Sequence, residues 1–131
     1  MTYPAALRYT KDHEWIEVQG EMGTVGLTDH AQSQLGDVVF VELPKLGNQL
    51  EAGQSLGTVE STKAVFDIYA PASGEVIEVN EELVSAPEKI NQDPHGAGWL
   101  IKVRLSKPAE LSGLMDAGAY ESYLTAEGAH S

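Results

Sequence analysis

The sequence VESTKAVFDIYAPASGEV, from Val59 to Val76, gives the strongest indication of the fold. Its apolar run is short and rich in β-branched and aromatic residues, and it ends at Pro71 with Gly74 beyond. These features favour a strand over a helix. A second β-prone segment precedes the residues STKA. The stretch therefore predicts a β-hairpin with Lys63 at or beside its tip.

Short β-prone segments separated by glycine turns continue along the rest of the chain, which has 13 glycine residues. Segments of this kind are β-branched or aromatic and are bounded by glycine or proline. Many short strands with turns between them predict an all-β barrel or sandwich. Besides the hairpin strand that follows Lys63, the predicted strands are Glu14–Gly20, Met22–Thr28, Asp37–Leu43, Gly53–Glu60, Glu75–Asn80 and Gly98–Leu105.

Helical patterns are few. TDHAQSQLG predicts one or two helical turns, with Thr28 or Asp29 as the N-cap and Gly36 as a left-handed C-terminal residue. In the tail, Pro108 marks a helix start, and a second helical piece is expected around Tyr120–Thr125. The last few residues are expected to be loose. The apolar tail residues at helical spacing are Leu111, Leu114 and Met115.

Composition limits the possible functions. The 131 residues fit one domain, and 42% apolar with 21% charged residues is a globular composition. The absence of cysteine excludes disulfides, thiolate metal sites and cysteine nucleophiles. A net charge of −12 argues against nucleic-acid binding and against anionic membranes. No apolar run is long enough to cross a bilayer, and the start lacks the pattern of a secretory signal or a transit segment.

Lys63 is the residue whose role the hairpin leaves open. A hairpin tip is exposed and little entangled with neighbours, so a modifying enzyme could reach a lysine there. An ordinary solvated lysine would occupy the same position. The local residues alone favour the ordinary solvated lysine, because most exposed turn lysines are simply solvated.

Segments distributed along nearly the whole chain carry a family resemblance. Together with the helical tail that contains Tyr residues, they resemble the glycine cleavage system H-protein family, and they occur in that family's order. The segments are YTKDHEWI (9–16), GLTDHAQSQLGDVVFVELP (26–44), ESTKAVFDIYAPASGEVIEVN (60–80) and INQDPHGAGWLIKV (90–103).

The resemblance implies a mainly β lipoyl/biotinyl-type barrel-sandwich hybrid, with short antiparallel strands, a short internal helix and a C-terminal helical tail. It implies a single lipoyl-carrier domain over residues 1–131, with a core at about 9–105 and a tail at about 107–127. In the family, a lysine at the hairpin tip carries one covalent lipoate, and Lys63 occupies that position. The dithiolane would supply the sulfur redox chemistry that a cysteine-free chain lacks.

The resemblance also implies the partners. The family's proteins are not enzymes; they shuttle an aminomethyl group from glycine decarboxylase (P protein) to the aminomethyltransferase (T protein). They then deliver the dithiol to dihydrolipoyl dehydrogenase (L protein), and lipoylating enzymes load them. We expect a monomer in the bacterial cytoplasm, or in the mitochondrial matrix for a processed eukaryotic form.

The resemblance carries over to particular acidic residues. Glu14 and Asp67 match positions that hold the amine of the carried group in a cleft that excludes water. Asp12 stands where a relative has serine, so it either strengthens that contact or points to solvent. Glu60 matches the region read by lipoylating enzymes, although a cross-strand pair with Lys63 would also explain it. For Gly74 we expect a turn with positive φ and no chemical role.

Other functions remain as alternatives. An H-like carrier serving lipoyl relay or another lipoyl-dependent pathway would share the hairpin. Biotin carriers typically have Met-Lys-Met around the lysine, and 2-oxoacid dehydrogenase modules usually have Ala/Pro linkers; neither pattern is present. A small metal-dependent enzyme using His13 and His30 is the alternative from another class, but no short metal motif occurs. We expect structural or surface roles for these and for His95, and His130 falls in the tail.

Overall fold

The computed structural model describes residues 3–128, which form two antiparallel sheets. The larger sheet has six strands in the order β1-β2-β3-β9-β8-β5. Consecutive strands β2 and β3 form a hairpin, and β9 pairs with both β3 and β8. The strands of this sheet are β1 Leu7–Tyr9, β2 Glu14–Gln19, β3 Met22–Leu27, β5 Gln49–Leu50, β8 Gly74–Val79 and β9 Ile101–Leu105.

The smaller sheet has three strands in the order β4-β6-β7. Its strands are β4 Val38–Glu42, β6 Ser55–Ser61 and β7 Val65–Tyr69. Strands β6 and β7 are the two arms of the hairpin predicted around Lys63, and they pair antiparallel from Glu60–Val65 down to Ser55–Tyr69. Residues 65–69, which are rich in β-branched and aromatic side chains, therefore form a strand, as expected.

Four short α-helices and a 3₁₀ helix connect or cover the sheets within residues 3–128. Helix α1 begins after Thr28, whose hydroxyl accepts a hydrogen bond from the Ala31 N–H, and it ends at Gly36 with φ of 79°. Both predicted ends of this helix are confirmed. The helices are α1 Asp29–Leu35, α2 Glu82–Ser85, α3 Lys89–Gln92, the 3₁₀ helix Pro108–Gly113 and α4 Ala117–Gly128.

Two apolar clusters fill the interior. The main core lies between the sheets and includes Ile16, Val59, Ile68 and Ile101. Alternating side chains of the strands supply this core, because successive residues of a strand point to opposite faces. A second, aromatic cluster lies under α4 and contains Tyr3, Leu7, Tyr9, Trp15 and Tyr120.

The mainly β architecture with a short internal helix and a helical tail is confirmed, and three details differ from expectation. Strands β1 and β5 were not predicted. The helices α2 and α3 were not predicted either. Leu114 and Met115 are not helical, because the 3₁₀ helix ends at Gly113 and Met115 forms an antiparallel bridge with Tyr9. Over residues 3–128, no helix combines the length and apolar character that a membrane span requires.

Candidate functional site

The tip of the β6–β7 hairpin is closed by hydrogen bonds of Ser61. The Ser61 hydroxyl oxygen accepts from the Lys63 N–H at 3.1 Å and from the Ala64 N–H at 3.3 Å. The Ser61 N–H donates to the Ala64 carbonyl at 2.9 Å. The backbone at Lys63 is thus fixed while its side chain stays exposed. Among the described residues, none forms a hydrogen bond or ion pair with Lys63 Nζ.

The side chain of Lys63 lies over Gly36, the residue that ends α1. A Cβ on Gly36 would come 3.3 Å from Lys63 Cε, so glycine leaves the room that the lysine occupies. The Thr62 N–H donates to the Asp37 carbonyl at 3.0 Å, which joins the hairpin tip to the α1–β4 junction. Lys63 is therefore held next to the C-terminal end of α1.

Asn91 of α3 fixes the same junction from the other side. Its amide nitrogen donates to the Gly36 carbonyl at 2.8 Å and to the Gln32 side chain at 3.1 Å. Its oxygen accepts from the Val38 N–H at 2.9 Å. The sequence alone predicts neither the role of Gly36 at the lysine nor that of Asn91. Both roles depend on contacts between distant parts of the chain, and no local sequence signal identifies them.

A cleft of about 170 Å³ opens beside this junction. Residues from α1, from both arms of the hairpin and from the start of β2 line it. Its walls are mainly apolar, and its polar groups come mostly from residues 12–14. The lining residues are Asp12, His13, Glu14, Leu27, Ala31, Gln34, Leu35, Val59, Phe66, Asp67 and Ile68.

Glu14 is the buried acid of the cleft, with 2% of its surface exposed. Its Oε1 accepts a hydrogen bond from the Thr10 hydroxyl at 2.6 Å, and its Oε2 accepts from the Tyr69 N–H at 3.2 Å. Burial is the main cause that raises the pKa of Glu14 from 4.5 to about 7. The hydrogen bonds from Thr10 and Tyr69 lower this pKa, and the nearby Asp12 charge raises it by a smaller amount. Near neutral pH this carboxyl can therefore accept or release a proton.

Asp12 and Asp67 lie at the opening of the cleft, where both are exposed. The Asp12 N–H donates to the Thr10 hydroxyl at 3.2 Å. Asp67 Oδ1 accepts a hydrogen bond from the Ser55 hydroxyl at 3.2 Å. The structure thus brings Asp67 to the same cleft as Asp12 and Glu14, although more than fifty residues separate Asp67 from them.

Glu60 lies outside the cleft. It is exposed on β6, where the register places it between Phe40 of β4 and Val65 of β7. No ion pair between Glu60 and Lys63 is found within residues 3–128, so the cross-strand explanation for this glutamate is wrong.

The expected reason for Gly74 is also wrong. Gly74 is not among the residues with positive φ; it begins β8, where a Cβ would lie 2.4 Å from the backbone carbonyl oxygen of Arg104. The close approach of β9, and not a turn, requires glycine here.

His13 lines the cleft, His30 lies in α1, and His95 contacts the start of α1. His13 has φ of 68° and its ring lies 4.5 Å from that of His30. His95 Nε2 accepts a hydrogen bond from the Asp29 N–H at the start of α1, and burial lowers the pKa of His95. No cluster of three or more His, Asp or Glu side chains suited to a metal ion occurs between residues 3 and 128. His130 lies outside the described residues.

The C-terminal helix reaches the cleft through Tyr120, a contact that is not predicted from the sequence. The Tyr120 hydroxyl lies 2.8 Å from His13 Nδ1 and 2.8 Å from the Thr28 hydroxyl. Its ring stacks on Tyr9 with centroids 4.7 Å apart. Helix α4 therefore supports both a cleft residue and the N-cap of α1, the helix that lines the cleft.

A wider, open groove of about 540 Å³ lies elsewhere, lined by residues such as Leu46, Glu81 and Trp99. It contains none of the site residues expected from the sequence, so we take the smaller cleft beside Lys63 as the candidate site.

The fold and the site define a carrier-type domain, in which two antiparallel sheets present one lysine at a hairpin tip beside a small acidic cleft. The chain belongs to the Glycine cleavage H-protein family, whose profile matches residues 7–127. The family expected from the sequence is thus confirmed.

Similar proteins agree with this membership. The chain is 58% identical to the glycine cleavage system H protein of Acidobacterium capsulatum, over 99% of this chain and 100% of that protein. It is 58% identical to the H protein of Symbiobacterium thermophilum, over 95% and 97% of the two chains. The crystal structure of a glycine cleavage system H protein from Mycobacterium marinum has 43% identity and a TM-score of 0.86, covering 94% of this chain and 99% of that one.

Proposed function

We propose that this chain is the lipoyl carrier of a glycine cleavage system, with one lipoate in amide linkage to Lys63. The observation that carries the proposal is an exposed lysine, held at a fixed hairpin tip without a partner among residues 3–128, next to a cleft with a buried acid. On this proposal the chain is not an enzyme, because it positions a carried group for other proteins and catalyses no step itself.

The residues present fit a lipoyl group. Lys63 Nζ is accessible, and Gly36 leaves space along the lysine side chain toward the helix whose residues line the cleft. When bound, lipoate supplies a disulfide that can be reduced, can carry a one-carbon amine on sulfur, and can be reoxidised. The apolar walls of Leu35, Val59 and Phe66 suit an aliphatic chain and limit the access of water.

The acids would hold the amine of the cargo. Glu14, at the buried end, titrates near neutral pH, and an ammonium group entering the cleft would favour its ionised form. If the amine arrives neutral, the protonated Glu14 carboxyl can transfer its proton to the amine nitrogen; if it arrives as ammonium, Glu14 releases that proton to solvent. Either way an ammonium–carboxylate hydrogen bond results. Asp12 and Asp67, at the opening, would add negative charge where the amine enters.

The proposed role defines the partners. The chain would receive an aminomethyl group at glycine decarboxylase (P protein), deliver it at the aminomethyltransferase (T protein) and be reoxidised by dihydrolipoyl dehydrogenase (L protein). Lipoylating enzymes would load Lys63, with Glu60 on the outer face of the hairpin available for recognition. Because the similar proteins are bacterial, we place this role in the bacterial cytoplasm.

The attachment site is tested by intact mass. Unmodified protein incubated with lipoate, ATP and a lipoate–protein ligase should gain the mass of one lipoyl group. Lys63→Arg should gain none, whereas Lys45→Arg, at another exposed lysine, should behave like wild type. A lipoyl increment that survives Lys63→Arg would refute the assignment.

The shuttle role is tested with purified glycine decarboxylase. Release of carbon dioxide from glycine should require the loaded chain and should be lost with Lys63→Arg but retained with Lys45→Arg. A loaded wild-type chain that supports no release would mean that the chain serves a different lipoyl-dependent pathway.

A further inference from the structure

The turn between β1 and β2 places the hydroxyl group of Thr10 against the buried acid of the cleft. Thr10 follows the last residue of β1, and Glu14 is the first residue of β2. The Thr10 N–H donates to the Glu14 carbonyl at 2.9 Å, and the Thr10 carbonyl accepts from the His13 N–H at 3.1 Å. Hydrogen bonds of the backbone therefore fix the position of Thr10 relative to Glu14.

The Thr10 hydroxyl is oriented by its own hydrogen bonds. A hydroxyl group has one proton to donate and two lone pairs that accept. Its oxygen accepts from the Asp12 N–H at 3.2 Å and from the Glu14 N–H at 3.1 Å, so both lone pairs are used. The remaining proton is donated to Glu14 Oε1, which lies 2.6 Å away. Thr10 is thus held as a donor toward this carboxyl group and not as an acceptor from it.

This arrangement favours the ionised form of Glu14. A carboxylate only accepts hydrogen bonds, whereas a protonated carboxyl also has a proton to donate. Oε1 accepts from the Thr10 hydroxyl and Oε2 accepts from the Tyr69 N–H at 3.2 Å, so both carboxyl oxygens face donors. Hydrogen bonds from a hydroxyl to a carboxylate are short, as this one is, and are roughly twice as strong as bonds between neutral groups.

Burial opposes these hydrogen bonds, because a charge is costly away from water and Glu14 is almost completely enclosed. Burial raises the pKa of Glu14, the two hydrogen bonds lower it, and the balance leaves it at about 7. The bond from Thr10 lowers this pKa more than the bond from Tyr69 does. Removal of the Thr10 hydroxyl would therefore raise the pKa of Glu14 further and leave the acid mostly neutral near neutral pH.

We propose that Thr10 is a positioning residue whose hydroxyl holds Glu14 as an oriented, ionised acceptor for the amine of the carried group. The inference rests on the proposed function and adds to it the group that keeps the buried acid charged. A carboxylate forms a stronger hydrogen bond with an ammonium group than a neutral carboxyl does. Serine at position 10 would keep the hydroxyl and serve the same role, whereas valine has a methyl group in its place and would not.

The first measurement follows the titration of Glu14 in the unmodified protein. Carbon-13 NMR reports the side-chain carboxyl groups, and Glu14→Gln identifies the signal of Glu14. Thr10→Val should move the titration midpoint upward by about one pH unit, because the charged form loses a hydrogen bond. Thr10→Ser should titrate like wild type. Thr24→Val, in β3 and outside the lining of the cleft, is the matched control and should also leave the midpoint unchanged.

The sign of the shift separates a positioning role from a purely structural one. If Thr10 served only to close the turn, its loss would open the cleft to water and move the midpoint down toward the ordinary value of 4.5. A midpoint that falls or stays unchanged in Thr10→Val would therefore overturn the proposal. Urea unfolding checks that each variant is folded, and Thr10→Ala gives the same test if valine is not tolerated.

The second measurement uses the lipoylated protein after glycine decarboxylase has charged it from glycine and has been removed. Water hydrolyses the carried aminomethyl group to formaldehyde and ammonia and leaves the thiol, so release of ammonia measures the loss of the group. Thr10→Val should speed this release about fivefold near neutral pH, as the loss of one hydrogen bond to a charged group predicts. Thr10→Ser should release ammonia at the wild-type rate.

A double variant connects the effect of Thr10 to Glu14. When Glu14→Gln is already present, Thr10→Val should not change the release of ammonia further, because no carboxylate is left to hold. Equal acceleration by Thr10→Val with and without Glu14→Gln would overturn the proposal. Equal release from Glu14→Gln and wild type would instead refute the amine-holding role in the proposed function, while the NMR titration would still decide whether Thr10 keeps Glu14 ionised.

Discussion

Replacing Glu14 by glutamine removes the acid at the buried end of the cleft and should change how stability depends on pH. Burial raises the pKa of Glu14 from 4.5 to about 7 in the folded protein, while the unfolded chain has the ordinary value. The folded state therefore favours the protonated carboxyl. As pH rises from about 4.5 through about 7, the wild-type protein loses stability through this group, and above that range the loss is complete.

The magnitude follows from the shift. One pKa unit corresponds to about 1.4 kcal/mol, so full ionisation of Glu14 costs about 3 kcal/mol of unfolding free energy. Most of this cost, about 2 to 3 kcal/mol, develops between pH 5 and pH 9. A glutamine at position 14 does not ionise, so it contributes no such pH dependence to the unfolding free energy. It also loses about 1 kcal/mol at every pH, because an amide cannot accept hydrogen bonds from both Thr10 and Tyr69 through oxygen atoms.

The assay is urea unfolding of the unmodified protein at several pH values, followed by tryptophan fluorescence, to which the buried Trp15 contributes. The stability of Glu14→Gln relative to wild type should rise by about 2 to 3 kcal/mol from pH 5 to pH 9. Glu21→Gln, which removes an exposed carboxylate, is the control. A stability difference between Glu14→Gln and wild type that does not change with pH would refute the burial of this carboxyl and the water-excluding cleft.

Two further substitutions test the packing around the site. Gly74→Ala should lower the unfolding free energy by about 3 kcal/mol, because its Cβ would meet a backbone carbonyl of β9. Gly53→Ala, at φ of 86° with open space around it, should cost only about 1 kcal/mol, and equal losses in urea unfolding would contradict this reasoning. Tyr120→Phe should cost about 2 kcal/mol by removing hydrogen bonds to Thr28 and His13. An unchanged urea midpoint would mean that those bonds do not tie α4 to the cleft.

Much of the fold could be predicted because its strands carry strong local signals. The 65–69 strand is β-branched and aromatic and ends before Pro71, and β4 has the same character before Pro44. Strand β1 has three residues and β5 has two, which is too short for a period of two to be recognised. The spacing of Met115 from Leu111 and Leu114 predicts a helix. Its pairing with Tyr9 is a tertiary contact that this local spacing cannot reveal.

In the site, too, some features follow from local sequence and others depend on tertiary contacts. The exposed position of Lys63 follows from the local hairpin, whereas the grouping of Glu14 with the hairpin depends on a hydrogen bond to Tyr69 across the two sheets. Asn91 forms hydrogen bonds with residues more than fifty positions away from it in sequence, so its role could not be predicted from local sequence. Gly74 was recognised as a required glycine for the wrong reason, because the approach of β9 is visible only in three dimensions.

The hydrogen bonds of Ser61 and Thr62 at the hairpin tip have a mechanical consequence. They fix the position of the Lys63 Cα. The volume that a group attached to Lys63 can reach is therefore set by the length and flexibility of the side chain and the attached group alone. A small reachable volume keeps the local concentration of the cargo at a docked enzyme high. A flexible hairpin would spread the attached group over a larger volume and lower its effective concentration at the docked enzyme. Transfer of the group would then slow even if every binding affinity stayed the same.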